Sequence, residues 1–87
     1  MKVRDLFSGP EKWTKGEWAR DKEGRPTCSN AFCWCLIGAI FHCYKDEDYP
    51  EICEKIDNEG IDNLMQWNDA PERKFEEVKE LVERLDI

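Results

Sequence analysis

Five cysteines and one histidine are the residues of this 87-residue chain best suited to chemistry, and most of them share one apolar run. The stretch N-A-F-C-W-C-L-I-G-A-I-F-H-C-Y, positions 30–44, holds Cys33, Cys35, His42 and Cys43, while Cys28 and Cys53 lie outside it. A structural zinc site takes four converging ligands at about 2.0–2.3 Å, usually from short paired spacings such as C-x2-C. The spacing here is Cys28-x4-Cys33-x-Cys35-x7-Cys43-x9-Cys53. On a helix Cys33 and Cys35 point about 200° apart, so they cannot face one ion. Cys28, His42, Cys43 and Cys53 could meet only through the loops.

A thiol enzyme needs a thiolate within about 3 Å of a base, or one water away. Cys35 and His42 share a helix face but stand about 10 Å apart along the axis. Cys28, just ahead of the helix, is the better nucleophile candidate because a helix N-terminus lowers a thiol's pKa. His42 then sits at the wrong end to serve it. The simpler expectation is that Cys33, Cys35 and Cys43 act as small hydrophobes and that His42 sits where the helix dipole favours its protonated form. D-N-E-G-I-D-N (57–63) lacks the spacing and closing Glu of a calcium loop. No catalytic, cofactor-binding or metal-binding residue is expected.

The elements around this run follow from periodicity and caps. Val3, Leu6 and Phe7 predict a helix of about two turns stopped by Gly9-Pro10. D-K-E-G at 21–24 has Asp first and Gly fourth, good turn chemistry, which predicts a hairpin pairing Glu17–Arg20 with Arg25–Thr27. Trp18 is its natural anchor. Ser29 or Asn30 would cap a central helix over 31–44, apolar on nearly every side and therefore surrounded. Gly38 and Ala39 in its middle invite a close crossing by the hairpin or by the C-terminal helix.

Asp48, Pro50 and Glu51 start another helix with Ile52, Cys53 and Ile56 on its apolar stripe and Gly60 at its end. Ile61, Leu64, Met65 and Trp67 feed the core, with a helical turn before a loop at Asn68. Asp69, Pro71 and Glu72 form the next capping signal, and Phe75, Val78, Leu81, Val82 and Leu85 keep a 3.6 period through the last helix. The fold class expected is mainly α (α+β): four or five short helices around a central buried helix (31–44), with one small β-hairpin (about 17–27). With no repeat, low-complexity tract or linker, residues 1–87 read as a single compact domain.

Charge is unevenly placed. Residues 1–44 carry 7 Lys/Arg against 5 Asp/Glu, a balance of +2, whereas residues 45–87 carry 6 against 15, a balance of −9. An acidic field of this kind repels nucleic-acid phosphates and attracts basic protein surfaces. The apolar part of the central run, about 14 residues, is shorter than the roughly 20 a membrane span needs. No secretion signal is visible, and an odd number of cysteines cannot all pair within one chain, so a cytoplasmic, reducing setting is expected.

W-T-K-G-E-W-A-R-D-K-E-G at 13–24, C-W-C-L-I-G-A-I at 33–40 and W-N-D at 67–69 together resemble a group of small uncharacterised bacterial and bacteriophage proteins. These carry W-T-x-G, A-x-D-x-x-G, W-C-x-x-G-A and a later N-D. The likeness covers Trp13 to Asp69. It implies context rather than activity: a small accessory gene product, often of phage or mobile-element origin, with no catalytic residue to carry across. Trp34, Cys35, Gly38, Ala39, Asn68 and Asp69 are the shared positions. A structural reading of the last two is that they cap the final helix and satisfy loop backbone groups beside the central helix.

The expected function is that of a small acidic, non-enzymatic interaction protein, a phage or mobile-element accessory that binds and modulates a basic surface of a host protein. Asp46, Glu47 and Asp48, with Glu76, Glu80 and Glu83 on the outer face of the last helix, are the partner-binding residues expected. Direct binding to nucleic acid or membrane is not expected. The alternatives are a cysteine-dependent enzyme or zinc-binding protein, and a self-associating module that dimerises through an aromatic patch around Trp13 and Trp18.

Overall fold

The computed structural model describes residues 1–27 and 29–87. In chain order the elements are α1 (Val3–Leu6), β1 (Ala19–Arg20), β2 (Cys33–Trp34), α2 (Leu36–Cys43), α3 (Tyr49–Asn58), α4 (Leu64–Asp69) and α5 (Phe75–Leu85), with 3-10 turns at Pro10–Lys12 and Asp46–Asp48. The fold is therefore mainly helical with one small antiparallel sheet.

The expected helix over 31–44 is shorter. It starts at Leu36, because Cys33 and Trp34 are spent on β2, where Trp34 lies opposite Ala19 and Cys33 opposite Arg20. The cap is neither Ser29 nor Asn30. Cys35 takes that place, its Sγ accepting from the Gly38 N–H at 3.3 Å. Nor is the helix surrounded: Leu36, Gly38, Ala39 and Ile40 are buried, whereas Phe41 and His42 are exposed.

The turn at 21–24 is present. Gly24 N–H donates to Asp21 O at 3.0 Å, and the Asp21 carboxylate accepts from Glu23 and Arg25 N–H. Its return limb is only a bridge of Arg20 with Pro26, supported by a Thr27 N–H bond to Ala19 O. The paired strand of the predicted hairpin is thus supplied by Cys33–Trp34 instead of Arg25–Thr27. Both edges of the sheet are covered, since Trp13 bridges Trp34 and Thr14 N–H donates to Trp34 O on the far side.

Gly38 is where the first strand segment crosses. A Cβ there would overlap the Trp18 carbonyl oxygen and lie 2.8 Å from its carbonyl carbon.

The core sits between α1, α2, α3 and α5, with Val3, Phe7, Leu36, Val78 and Val82 fully buried. Single-turn α1, half the predicted length, rests on α2 and α5, and Phe7 meets Phe75 edge-on at 6.3 Å. α4 is capped by Asn63, whose side chain accepts from Gln66 N–H at 3.0 Å, and it continues through Asn68 and Asp69 where a loop was expected. In consequence Asp69 does not cap α5. That helix begins at Phe75, where the Glu77 carboxylate accepts from Lys74 N–H at 2.9 Å. Asp48 occupies the position before α3, but its carboxylate bonds Lys45 N–H. Among the described residues no helix is long and apolar enough to cross a membrane.

Candidate functional site

The sulfur atoms are scattered. Burial pushes the Cys35 thiol above its usual pKa, outweighing the lowering effect of backbone N–H bonds from Gly38 and Ile37. Burial raises Cys43 as well. Cys53 is exposed on α3, and His42 is exposed with its ring 4.9 Å from that of Trp34. Among the described residues no three of His, Cys, Asp and Glu gather as metal ligands would. The nucleophile and zinc roles considered for Cys28 lie outside the described residues.

The motif residues do converge, on Asn68, the one buried polar side chain among the described residues. Its Oδ1 accepts from Trp13 Nε1 at 2.7 Å and from Leu36 N–H at 3.1 Å. Its Nδ2 donates to Thr14 O at 3.1 Å and to Asp69 Oδ1 at 2.9 Å, and Asp69 Oδ1 also accepts from Gly16 N–H. An amide offers two donors and two lone pairs, so the capacity of Asn68 is fully used within the fold. W-T-x-G, the start of α2 and N-D are thereby fastened at one point. This knot positions α2 and leaves no atom of the Asn68 amide for a ligand. Binding must be sought on the surface it supports.

That surface is an aromatic row ending in a groove. Trp18 is 51% exposed and Phe41 43%; their rings lie 4.7 Å apart, and Phe41 meets Tyr49 at 5.1 Å. Trp13, by contrast, is held by Asn68 and half-buried, so the expected patch around Trp13 and Trp18 is centred on Trp18 and Phe41 instead. On one side of Phe41 a cleft of about 490 Å³ opens between Trp18, Trp34, His42 and the loop at Thr27 and Asn30. On the other side lies a groove of about 340 Å³ between Ile37, Ile40 and Phe41 of α2, Tyr49, Ile52, Cys53 and Ile56 of α3, and Leu64 of α4. Its walls are entirely apolar.

The acidic residues expected to bind a partner fall into two places. Asp46, Glu47 and Asp48 form the turn that leads straight into Tyr49 at the groove. Desolvation, then the charges of Asp46 and Asp48, push the Tyr49 phenol above its usual pKa. Glu76, Glu80 and Glu83 lie on α5, which does not line the groove, and Glu80 is paired with Arg84 at 3.0 Å. No hydrogen bond or ion pair among the described residues joins the two sets.

Sequence reasoning missed Glu51, Glu54 and Asp57, which run along the exposed side of α3 at i, i+3 and i+6 and make no ion pair among the described residues. The signal was available: between residues 44 and 72 the only cations are Lys45 and Lys55. Lys55 is turned away, donating to Leu85 O at 3.1 Å.

The model of a family described as a family of unknown function, DUF6197, matches residues 2–85. No curated protein and no solved structure matches the chain.

Proposed function

We propose, because the chain belongs to the DUF6197 family and that family has no assigned function, a role drawn from its own surface: a small acidic, non-enzymatic interaction protein that engages a basic surface of a protein partner. The observation that carries this reading is the apolar groove between α2 and α3, bordered by the turn Asp46–Asp48 at one end and by Asp57 at the other, none of which makes an ion pair among the described residues. Apolar walls supply affinity when they leave water. Unpaired carboxylates beside them steer a cationic partner and disfavour others. The proposed setting is the cytoplasm, where a phage or mobile-element accessory protein would act on a host protein.

Self-association is the weaker reading. The exposed Trp18–Phe41 pair favours it, but two copies joined groove to groove would set the same acidic border against itself.

Affinity capture from a bacterial lysate at low salt, with the wild type and an Asp46→Lys/Glu47→Lys/Asp57→Lys variant as baits, tests the proposal. A protein retained only by the wild type and released by salt is the expected result. Equal retention by both baits, or by neither, sinks it.

A further inference from the structure

Resting on that reading, we propose that the occupant of the groove is a single amphipathic α-helix of a partner protein, with basic residues concentrated along one flank of its apolar stripe. The first argument is backbone chemistry. An extended peptide docks by adding to a strand edge with free N–H and C=O groups, whereas a helix satisfies its own backbone and needs only apolar side-chain contacts. The groove offers only the latter: its walls are side chains of α2, α3 and α4. Among the described residues the sheet has no edge to lend, because Thr27 covers β1 and Thr14 covers β2.

The second argument is size and polarity. α3, the longer wall, has ten residues, about 15 Å at 1.5 Å per residue, which matches two to three turns of a guest helix. Tyr49, Ile52, Cys53 and Ile56 mark the side of α3 that faces the groove. Asp57 lies one turn beyond Cys53 at the edge of that side, and the acidic turn Asp46–Asp48 runs into Tyr49 at the other end, whereas Glu51 and Glu54, about 150° round the helix, face away. The opposite wall, α2, contains no acidic residue. Charge complementarity therefore asks for Lys or Arg on the guest flank next to α3 and tolerates neutral residues on the other.

A second copy of this chain does not fit. α5, its most regular amphipathic helix, already buries Val78, Leu81 and Val82 in its own core and is rich in glutamate.

The test is a titration of the full chain with a synthetic Trp-free peptide of about 14 residues, four turns, carrying Leu at i, i+4 and i+7 and Lys along one flank. Tryptophan fluorescence reports contact near Trp18, and circular dichroism reports helix gained by the peptide. Controls are a shuffled peptide of identical composition and one with Glu in place of Lys. The expected result is binding with a gain of helix, at least about ten-fold tighter than the shuffled peptide, absent for the Glu peptide, and weakened about ten-fold or more by Phe41→Ala or Asp57→Lys.

Equal binding of the shuffled peptide without helix gain would overturn the helical occupant while leaving the acidic-surface reading intact. No binding of either lysine peptide overturns both. Binding that ignores Phe41→Ala places the peptide elsewhere and overturns the inference, as does a wild-type dimer in sedimentation that the peptide dissociates.

Discussion

The backbone carbonyl of Trp18 rests on Gly38, in space where any other residue would place its Cβ. That approach joins the exposed aromatic row to the central helix. Gly38→Ala should gain about 1 kcal/mol of helix propensity, yet the obstructing atoms are backbone and cannot swing aside. We expect a net loss of about 1–3 kcal/mol, read as a lower urea midpoint at unchanged slope. An unchanged or raised midpoint would show that the crossing yields.

Asn68→Ala should cost more. It strips partners from Trp13 Nε1, Leu36 N–H and Thr14 O at once, and each buried polar group left unpaired costs about 1–3 kcal/mol. Asn68→Asp should also destabilise, because a carboxylate cannot donate to Thr14 O and sits against Asp69. Denaturant melts of both variants that matched the wild type within about 0.5 kcal/mol would remove the knot from the account.

How much of this was legible beforehand varies by element. α5 was plain from the period of Phe75, Val78, Leu81, Val82 and Leu85, and the Asp21–Gly24 turn from its residue types, because both are local properties. The division of the 31–44 run was not. Apolar continuity is shared by a buried strand and a buried helix, and only pairing with Ala19 and Arg20 fixes Cys33 and Trp34 as extended. Asp69 looked like a cap because its alternative partner, Gly16 N–H, is remote in sequence. On the acidic surface, the contiguous cluster 46–48 drew notice, while Glu51, Glu54 and Asp57 were hidden among apolar residues until the helix aligned them.

The thiols should separate sharply by reactivity. Cys53 is exposed and should react with a maleimide or disulfide reagent at the rate of a free thiol. Cys35, with no exposed surface, should react on the order of 100-fold more slowly and catch up only in denaturant. Mass mapping of the labelled sites at short times checks this. Cys35 labelled as fast as Cys53 would mean that the start of α2 opens readily.

Alkaline pH should weaken the fold. Cys35, Cys43 and Tyr44 all have raised pKa values, chiefly from burial. A group raised in the folded state contributes stability in full below its unfolded pKa and loses it as pH rises through the folded value. Loss should therefore begin above about pH 8.5, the unfolded cysteine value. Urea melts compared at pH 7 and pH 10 give the sign, and a stability that rose over that window would contradict it.

Asp86 behaves in the opposite sense. The Lys2 side chain, with help from Arg4, holds its carboxyl below the usual range. That contribution is present above the unfolded pKa of about 3.9 and disappears as pH falls through the lower folded value. Asp86 also adopts a left-handed backbone, φ 56°, which asparagine tolerates. Asp86→Asn should thus isolate the charge: a small loss of stability at pH 7 that vanishes in acid and in high salt. A loss independent of both would point to the backbone instead.

The bonds that tie Trp13, Thr14 and Gly16 to Asn68 and Asp69 span 53 to 55 positions of sequence. During synthesis on the ribosome, α2 and α3 can coil as soon as they emerge and Ala19 and Arg20 can pair with Cys33 and Trp34, yet Trp13, Thr14 and Gly16 gain their bonds to the knot only once the chain has been translated through Asp69. The last quarter of the polypeptide therefore completes the fastening of the first, and a nascent chain halted before that point should remain more open to proteases between Trp13 and Gly16.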